Sequence, residues 1–412
     1  MEYRTFSLLS KLWKHISKER KIQLFFSGIL VFLSTISELF TIASIFPFIT
    51  ALSNPSELSK IYFIQRISIY FDINKESNLL VPLAIIFIIA IITSSLIRFF
   101  SVWINYKVSA LIANDIGVKA YERTLYQPYK VHLSRNSSEV ISNITIHVDR
   151  VEAVIRGVLQ FIANFIFSLS LTVALILFRP SIAVSVAFIL ATTYVLIGIL
   201  TREKLTENSK LISNASNSKI KALQEGLGSI RETLLSFNQP YFVSKLRASD
   251  SLVRTKMVFN LMISLFPKYA IETLGITILV LFSITYSVSN QYTESILPLL
   301  ATFALGAQKL LPSMQFCYSS LANIRSMVAS VYNILEMLDQ SIDNYPKTKK
   351  IIPYQFKSEV VLDNLSFSYD QDKGEILKNV NLKINRGEKT MHSADHKKLT
   401  SLFIIRPLPS RK

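Results

Sequence analysis

Glycine is scarce in this chain, with ten in 412 residues, and none follows Gly387. A loop that cradles phosphates with its backbone needs several glycines close together, so the C-terminal stretch excludes one. Cysteine is scarcer still. The single Cys317 excludes an internal disulfide framework and a cysteine-rich metal site. Charge is also thin: 18% of residues are charged and 50% are hydrophobic. That balance argues against a soluble enzyme and fits a helical membrane protein. Acidic residues are the rarer sign, which leaves a net charge of +17. Such an excess raises nucleic acid as a partner, and the placement of the basic residues decides the matter.

Apolar runs are what the chain has in abundance. Gly157 to Phe178, Pro180 to Thr201, Leu79 to Ile97 and Thr273 to Thr293 carry no charge. Each reaches the roughly 20 residues a helix needs to cross about 30 Å of hydrocarbon. Ile22 to Ser53 and Ser295 to Ile324 are as long and are each interrupted by one charge, Glu38 and Lys309. The pattern predicts an all-α membrane protein with six spans, at about 22–53, 79–106, 157–178, 180–201, 257–288 and 295–324. The first twenty residues mix five basic side chains with Leu8, Leu12 and Trp13 and show no small-residue cleavage site. They read as an amphipathic helix on the membrane surface and not as a signal peptide.

The basic residues concentrate in the N-terminal segment, from Lys107 to Arg156, and from Arg202 to Lys256, while the alternate loops are poor in them. Basic loops stay in the cytoplasm, so both termini are expected inside and the segment from Asn54 to Asn78 outside. Spread over three loops and without a recognition motif, the charge does not support nucleic acid. Helical patterning runs on past the second span until Pro128, and past the fourth until Asn238-Gln239-Pro240. Two helical hairpins therefore project beyond the bilayer. Stalks of that kind suit the transmission of motion between a membrane part and a cytoplasmic motor.

Six spans, two long hairpins and then "VVLDNLSFSYDQDKGEILKNVNLKINRGEK" resemble an exporter of the ATP-binding-cassette (ABC) superfamily. Within it, "SELFTIASIFPFITALS", "PKYAIETLGI" and "QKLLPSMQ" are similar to bacterial flippases of lipid-linked oligosaccharides. The resemblance implies a permease over 1–338, a linker over 339–358, and over 359–389 the small β opening of a nucleotide-binding domain. It implies ATP and Mg²⁺ as the family's cofactors, with Tyr369 stacking on adenine. It also implies a homodimer in the bacterial inner membrane that handles a lipid-linked glycan among membrane lipid. The family continues past Gly387 into a strand and a Gly-x-x-x-x-Gly-Lys-Ser/Thr loop. Here "TMHSADHKKLTSLFIIRPLPSRK" stands instead, an unrelated basic tail over 390–412 with no Walker A, signature or Walker B motif. A truncated product unable to hydrolyse ATP alone is expected. His392 and His396 have the i, i+4 spacing of a zinc pair, but Ser393 takes the place of a catalytic Glu and no third ligand follows, so no metal is expected.

Charges at membrane depth are costly unless they serve a purpose. Lys309 and Glu38 sit mid-span. Lys268 and Glu272, one turn apart, suit a self-neutralising pair as well as a cavity role. Arg98, after nineteen uncharged residues, suits either snorkelling to the interface or a cavity. The sharper expectation is that Arg98, Lys268 and Lys309 bind a pyrophosphate, with Glu38 and Glu272 as their resting counter-charges. A non-hydrolysing membrane scaffold, and an exporter of peptide or apolar drug, are the competing readings.

Overall fold

The computed structural model describes residues 5–53, 80–178, 180–288, 296–340, 359–368 and 375–387. In chain order the helices are α1 (Thr5–His15), α2 (Lys18–Ser53), α3 (Leu80–Leu125), α4 (Tyr129–Ser134) and α5 (Ser137–Ser142). A π-helical turn (Asn143–His147) leads into α6 (Val148–Phe178), α7 (Pro180–Gly228), α8 (Ile230–Leu235), α9 (Gln239–Val288), α10 (Ile296–Ser326) and α11 (Val328–Leu338). Two strands follow, β1 (Glu359–Phe367) and β2 (Leu377–Asn385). The chain divides into two compact units, one holding α1–α3 and α5–α11, the other α4 and the strands.

The helices expected to carry the stalks are long and unbroken. α3, α7 and α9 run 46, 49 and 50 residues without interruption. At 1.5 Å per residue α3 alone is about 69 Å long, more than twice the hydrocarbon thickness. Among the described residues three helical runs are long and apolar enough to cross a membrane: Lys18–Leu52, Leu80–Leu125 and Ser137–Leu177. The other three expected spans fall on α7, α9 and α10, each of which contains side chains outside the description, so three of the six are matched. The expected outer segment at 54–78, most of the linker and the basic tail also lie outside the described residues.

The bundle is inside out, as lipid demands. On α2, Phe25, Ile29, Phe32, Ile36 and Phe40 recur at helical spacing and are exposed, whereas Ser27, Ser34, Thr35 and Glu38 on the opposite face are buried. Helix association in lipid depends on close packing and on hydrogen bonds more than on apolar burial, which this arrangement uses. α2 and α3 run antiparallel, with Ser27 bonded to Asn105, Glu38 to Arg98 and the Thr41 hydroxyl to the Ala90 carbonyl. α6 and α10 are likewise antiparallel: Ser313 donates to the Asn164 carbonyl, and a Cβ at Gly157 would stand 3.3 Å from Ile324. Glycine there sets the close approach of the two helices.

The stalk region is packed conventionally. Leu12 of α1, Ile112 and Ile116 of α3, Val151 of α6, and Ile334 and Leu338 of α11 form one buried cluster. α1 was expected to lie on the membrane surface. Instead one of its faces is docked on protein, with Leu8 and Leu12 buried, while Phe6 and Trp13 stay exposed on the other. A polar contact secures it, His15 meeting Asp339 at 2.9 Å, and at the start of α2 Arg20 forks onto Asp115 of α3 at 2.9 and 3.3 Å. α11 is held at its C-terminus by Arg123, which donates to the carbonyls of Leu338 and Gln340. A cation there complements the helix dipole and satisfies terminal carbonyls. The second stalk pairs α7 with α9 through Asn208–Asn260, Lys219–Asp250 and Glu225–Lys245. At its tip Phe237 takes a left-handed φ of 54°, and Asn238 N–H reaches back to the Thr233 carbonyl.

In the other unit, β1 and β2 pair antiparallel, from Glu359 opposite Asn385 to Phe367 opposite Leu377, with register shifts on either side of Leu365. Asn364 and Asn379 occupy left-handed φ beside those shifts, as irregular pairing requires. Gly387, φ 85°, turns the chain after β2. Val361 and Phe367 are exposed. A two-stranded hairpin is marginal in water without a covering element.

Candidate functional site

Three polar stripes meet inside the bundle. α2 contributes Ser34, Thr35 and Glu38; α3 contributes Arg98, Ser101 and Asn105; α6 contributes Arg156, Gln160 and Asn164. On α3 and α6 the members recur three or four residues apart, the spacing that puts side chains on one face, and on α2 Glu38 follows Ser34 and Thr35 by four and three. Together they line a cleft of about 190 Å³, closed on its apolar side by Phe167 and Phe316. It lies at the stalk end of the bundle, since Asn105 and Arg156 sit where α3 and α6 pass into their extensions.

Its centre is an ion pair. Arg98 donates to Glu38 at 2.7 Å, and the Glu38 side chain is 8% exposed against 47% for Arg98. Removing one member of a buried pair leaves the other uncompensated, at about 3–5 kcal/mol; the partial exposure of Arg98 puts this pair at or below the lower end. Across the cleft, Arg156 contacts Glu152 at 3.2 Å and stands 4.9 Å from the Tyr106 ring centre. That is a cation–π arrangement which fixes the guanidinium without consuming its donors. Asn164 donates its side-chain nitrogen to the Gln160 carbonyl. The Gln160 side-chain amide makes no hydrogen bond among the described residues.

Of the residues expected to bind substrate, the structure brings Arg98 and Glu38 together in this cleft. Lys268 and Glu272 lie on α9, 3.9 Å apart, each side chain 48% exposed, and do not line it. Lys309 is exposed on α10, without an ion pair among the described residues, and does not line it either. Tyr369, His392 and His396 lie outside the described residues. Among the described residues no group of three His, Cys, Asp or Glu could hold a metal. Sequence reasoning missed Arg156, Asn105, Gln160 and Asn164. The stripe spacing was available to find them, but Arg156 had been counted with the basic loop that precedes the span.

A second buried polar cluster sits in the stalks. His147 ends the π-helical turn, fully buried, with Nδ1 2.9 Å from the Ser330 hydroxyl and Nε2 3.2 Å from the Asn217 side-chain oxygen. Burial pushes its pKa down from 6.5 to about 4, against a smaller upward pull from the Asn217 bond. Arg150 beside it donates to Ser216 at 3.0 Å. This cluster ties the π-helical turn and α6 to α7 and α11, through neutral bonds at His147 and a charge-assisted one from Arg150. Its groups all face protein, so its role is to hold the stalks together.

The architecture of stalk-extended membrane helices has a match among known families. A family model described as "ABC transporter transmembrane region" matches residues 24–308, well over half of the chain. The matched residues include α3, α6, α7 and α9, the helices that carry the stalks, and every residue of the cleft except Phe316. The chain belongs to the ABC transporter transmembrane region family.

Proposed function

We propose that this membrane subunit of an exporter flips an anionic lipid-linked glycan from the cytoplasmic to the outer side of a bacterial inner membrane, as one half of a homodimer. The observation that supports it is the Arg98–Glu38 pair inside the bundle. A permease for apolar drugs gains nothing from two arginines in a cleft, whereas a phosphate-bearing lipid does. Lys268 and Lys309, exposed on the single chain, would add to the cationic surface that a second copy encloses. ATP and Mg²⁺ would act on a nucleotide-binding domain of the kind that the β1–β2 hairpin resembles. The Walker A loop that would hold them is absent from residues 390–412.

The test supplies an intact ATPase domain by fusion after residue 338 and reconstitutes the protein in vesicles. Protection of a fluorescent lipid-linked glycan from an external hydrolase reports flipping. ATP-dependent flipping of the pyrophosphate-linked lipid, with a neutral glycolipid left in place, is the expected result. Equal transport of a hydrophobic peptide or a dye would turn the assignment toward the drug or peptide reading.

A further inference from the structure

Two arginines stand outside the cleft, where the expected spans of α7 and α10 end. Arg325, in the last turn of α10, donates Nη1 to the Gly198 carbonyl of α7 at 2.8 Å. Arg202 lies one turn further along α7, exposed, and close enough for its charge to act on Arg325. Neither arginine has an ion pair among the described residues. The acidic neighbours in sequence are directed elsewhere. Glu207 meets Lys204 at 2.9 Å, and Glu203, the residue after Arg202, leaves the helix about 100° further round.

A helical side chain leans toward the N-terminus of its helix, and in α10 that is the direction of the expected span. Arg325 accordingly reaches back toward the bilayer to meet Gly198, although a side chain of its length can carry its charge into water. Two like charges held together at the edge of a span call for an anion between them. The surface beside them says what kind. Leu196, Ile199 and Leu200, in the two turns before Arg202, are 56 to 72% exposed and offer an apolar strip to acyl chains. A free anion gains nothing from that strip. A zwitterionic lipid brings a cation of its own that the arginines repel, whereas an anionic lipid brings the charge without one. We propose that an anionic glycerophospholipid of the stalk-side leaflet binds here, its phosphate bridging Arg202 and Arg325 and its chains lying along Leu196, Ile199 and Leu200. The phosphate oxygens take guanidinium donors that Gly198 leaves free, and the lipid fastens α7 to α10 at the base of the stalks. It is a resident lipid and not cargo, so the site does not depend on which substrate is moved.

The experiment titrates the full chain in detergent with phosphatidylglycerol or with phosphatidylcholine of the same acyl chains. Native mass spectrometry counts the lipid retained, and a thermal melt reads its effect on Tm. Phosphatidylglycerol should be retained more tightly and raise Tm further than phosphatidylcholine. Arg202→Gln should weaken the tightest phosphatidylglycerol site about tenfold, the scale of a lost charge-assisted bond, and shrink the Tm difference between the two lipids. Arg202 is exposed, so this change removes no packing and the variant remains folded for the comparison. Arg325→Lys, which keeps the charge without the fork, should weaken retention by less than Arg325→Gln. Equal retention of the two lipids would overturn the site, as would phosphatidylglycerol retention unchanged in both Arg202→Gln and Arg325→Gln. Displacement of the lipid by equimolar inorganic phosphate would also overturn it and assign the arginines to a free anion. Loss of a dimer in Arg202→Gln, with lipid retention unchanged, would assign them instead to contact between two copies of the chain.

Discussion

Tyr318 of α10 donates its hydroxyl, at 3.2 Å, to the carbonyl of Ile263 in α9, the acceptor that Pro267 leaves without a helical partner. Proline has no N–H to return to the residue four before it, and its ring crowds that carbonyl. On the next residue the Gln315 side chain donates to the Ser264 carbonyl at 2.7 Å. A break in a membrane helix is tolerated when neighbouring side chains satisfy the freed backbone, and α10 does so here. Tyr318→Phe should lower the melting temperature in detergent, with a buried acceptor left unmet at about 1–3 kcal/mol. In a Pro267→Ala background the Ile263 carbonyl regains its own N–H, and the same Tyr318→Phe change should then cost almost nothing. Equal losses in both backgrounds would show that the ring, not the hydroxyl, matters.

His147 gives the stalks a pH dependence. Its folded pKa of about 4 lies below the ordinary 6.5, so between those values the unfolded chain binds a proton that the folded chain refuses. Stability is therefore intact above pH 6.5, falls as pH drops through that window, and levels off below about 4. The full difference corresponds to about 3 kcal/mol at 1.36 kcal/mol per unit. Chemical denaturation at pH 7 and pH 4.5 should show most of that loss. His147→Gln keeps hydrogen-bonding capacity without a proton to gain, and should flatten the slope. An unchanged slope in His147→Gln would move the pH response to other groups.

Phe237 is a strained residue with little packing to compensate. Its left-handed backbone closes α8 where glycine is the usual choice, and its side chain is 82% exposed. Phe237→Gly should raise stability by about 1 kcal/mol by relieving that conformation. A lower melting temperature would mean that the ring is held in place by contacts of its own. A fused nucleotide-binding domain should also slow proteolysis of the tip around Phe237, as expected of a tip that seats on such a domain.

Much of this architecture was legible in the sequence, because long uncharged runs and the periodicity beyond them are local signals. The continuity of α3, α7 and α9 followed from them, with the breaks near Pro128 and Pro240. What the sequence could not supply was partnership across helices. Glu38 and Arg98 are sixty residues apart, and only the antiparallel register of α2 on α3 decides that they meet, whereas the Lys268–Glu272 pair, one turn apart on α9, could be read from spacing alone. The docking of α1 depends on α11, more than three hundred residues later. A helix with one apolar face reads alike whether lipid or protein covers it. Arg156 went unnoticed for a related reason: one charge at the mouth of a span looks like part of the basic loop until the stripe facing it is known.

Lys309 separates the two ways in which a charge can be kept at membrane depth. It is exposed on α10 without an ion pair among the described residues, and a central lysine costs about 2.5–3.5 kcal/mol on insertion scales. Replacing it by methionine removes that cost with little change in length, so Lys309→Met should insert at least as well and melt no lower. If Lys309 serves only packing, glycan flipping by the protein fused to an intact ATPase domain should survive the change. If it helps hold an anionic head, flipping should be lost in Lys309→Met and largely kept in Lys309→Arg, which retains the charge. Lys268→Met is the contrasting case, because it strands Glu272. There a charge is left unpaired, and insertion should suffer before transport can be read. The ratio of flipping to inserted protein across these three variants distinguishes a substrate-facing lysine from one that lipid and neighbours merely tolerate. A Lys309→Met protein that inserts and flips normally would assign Lys309 to structure and leave the Arg98–Arg156 cleft to account for recognition alone.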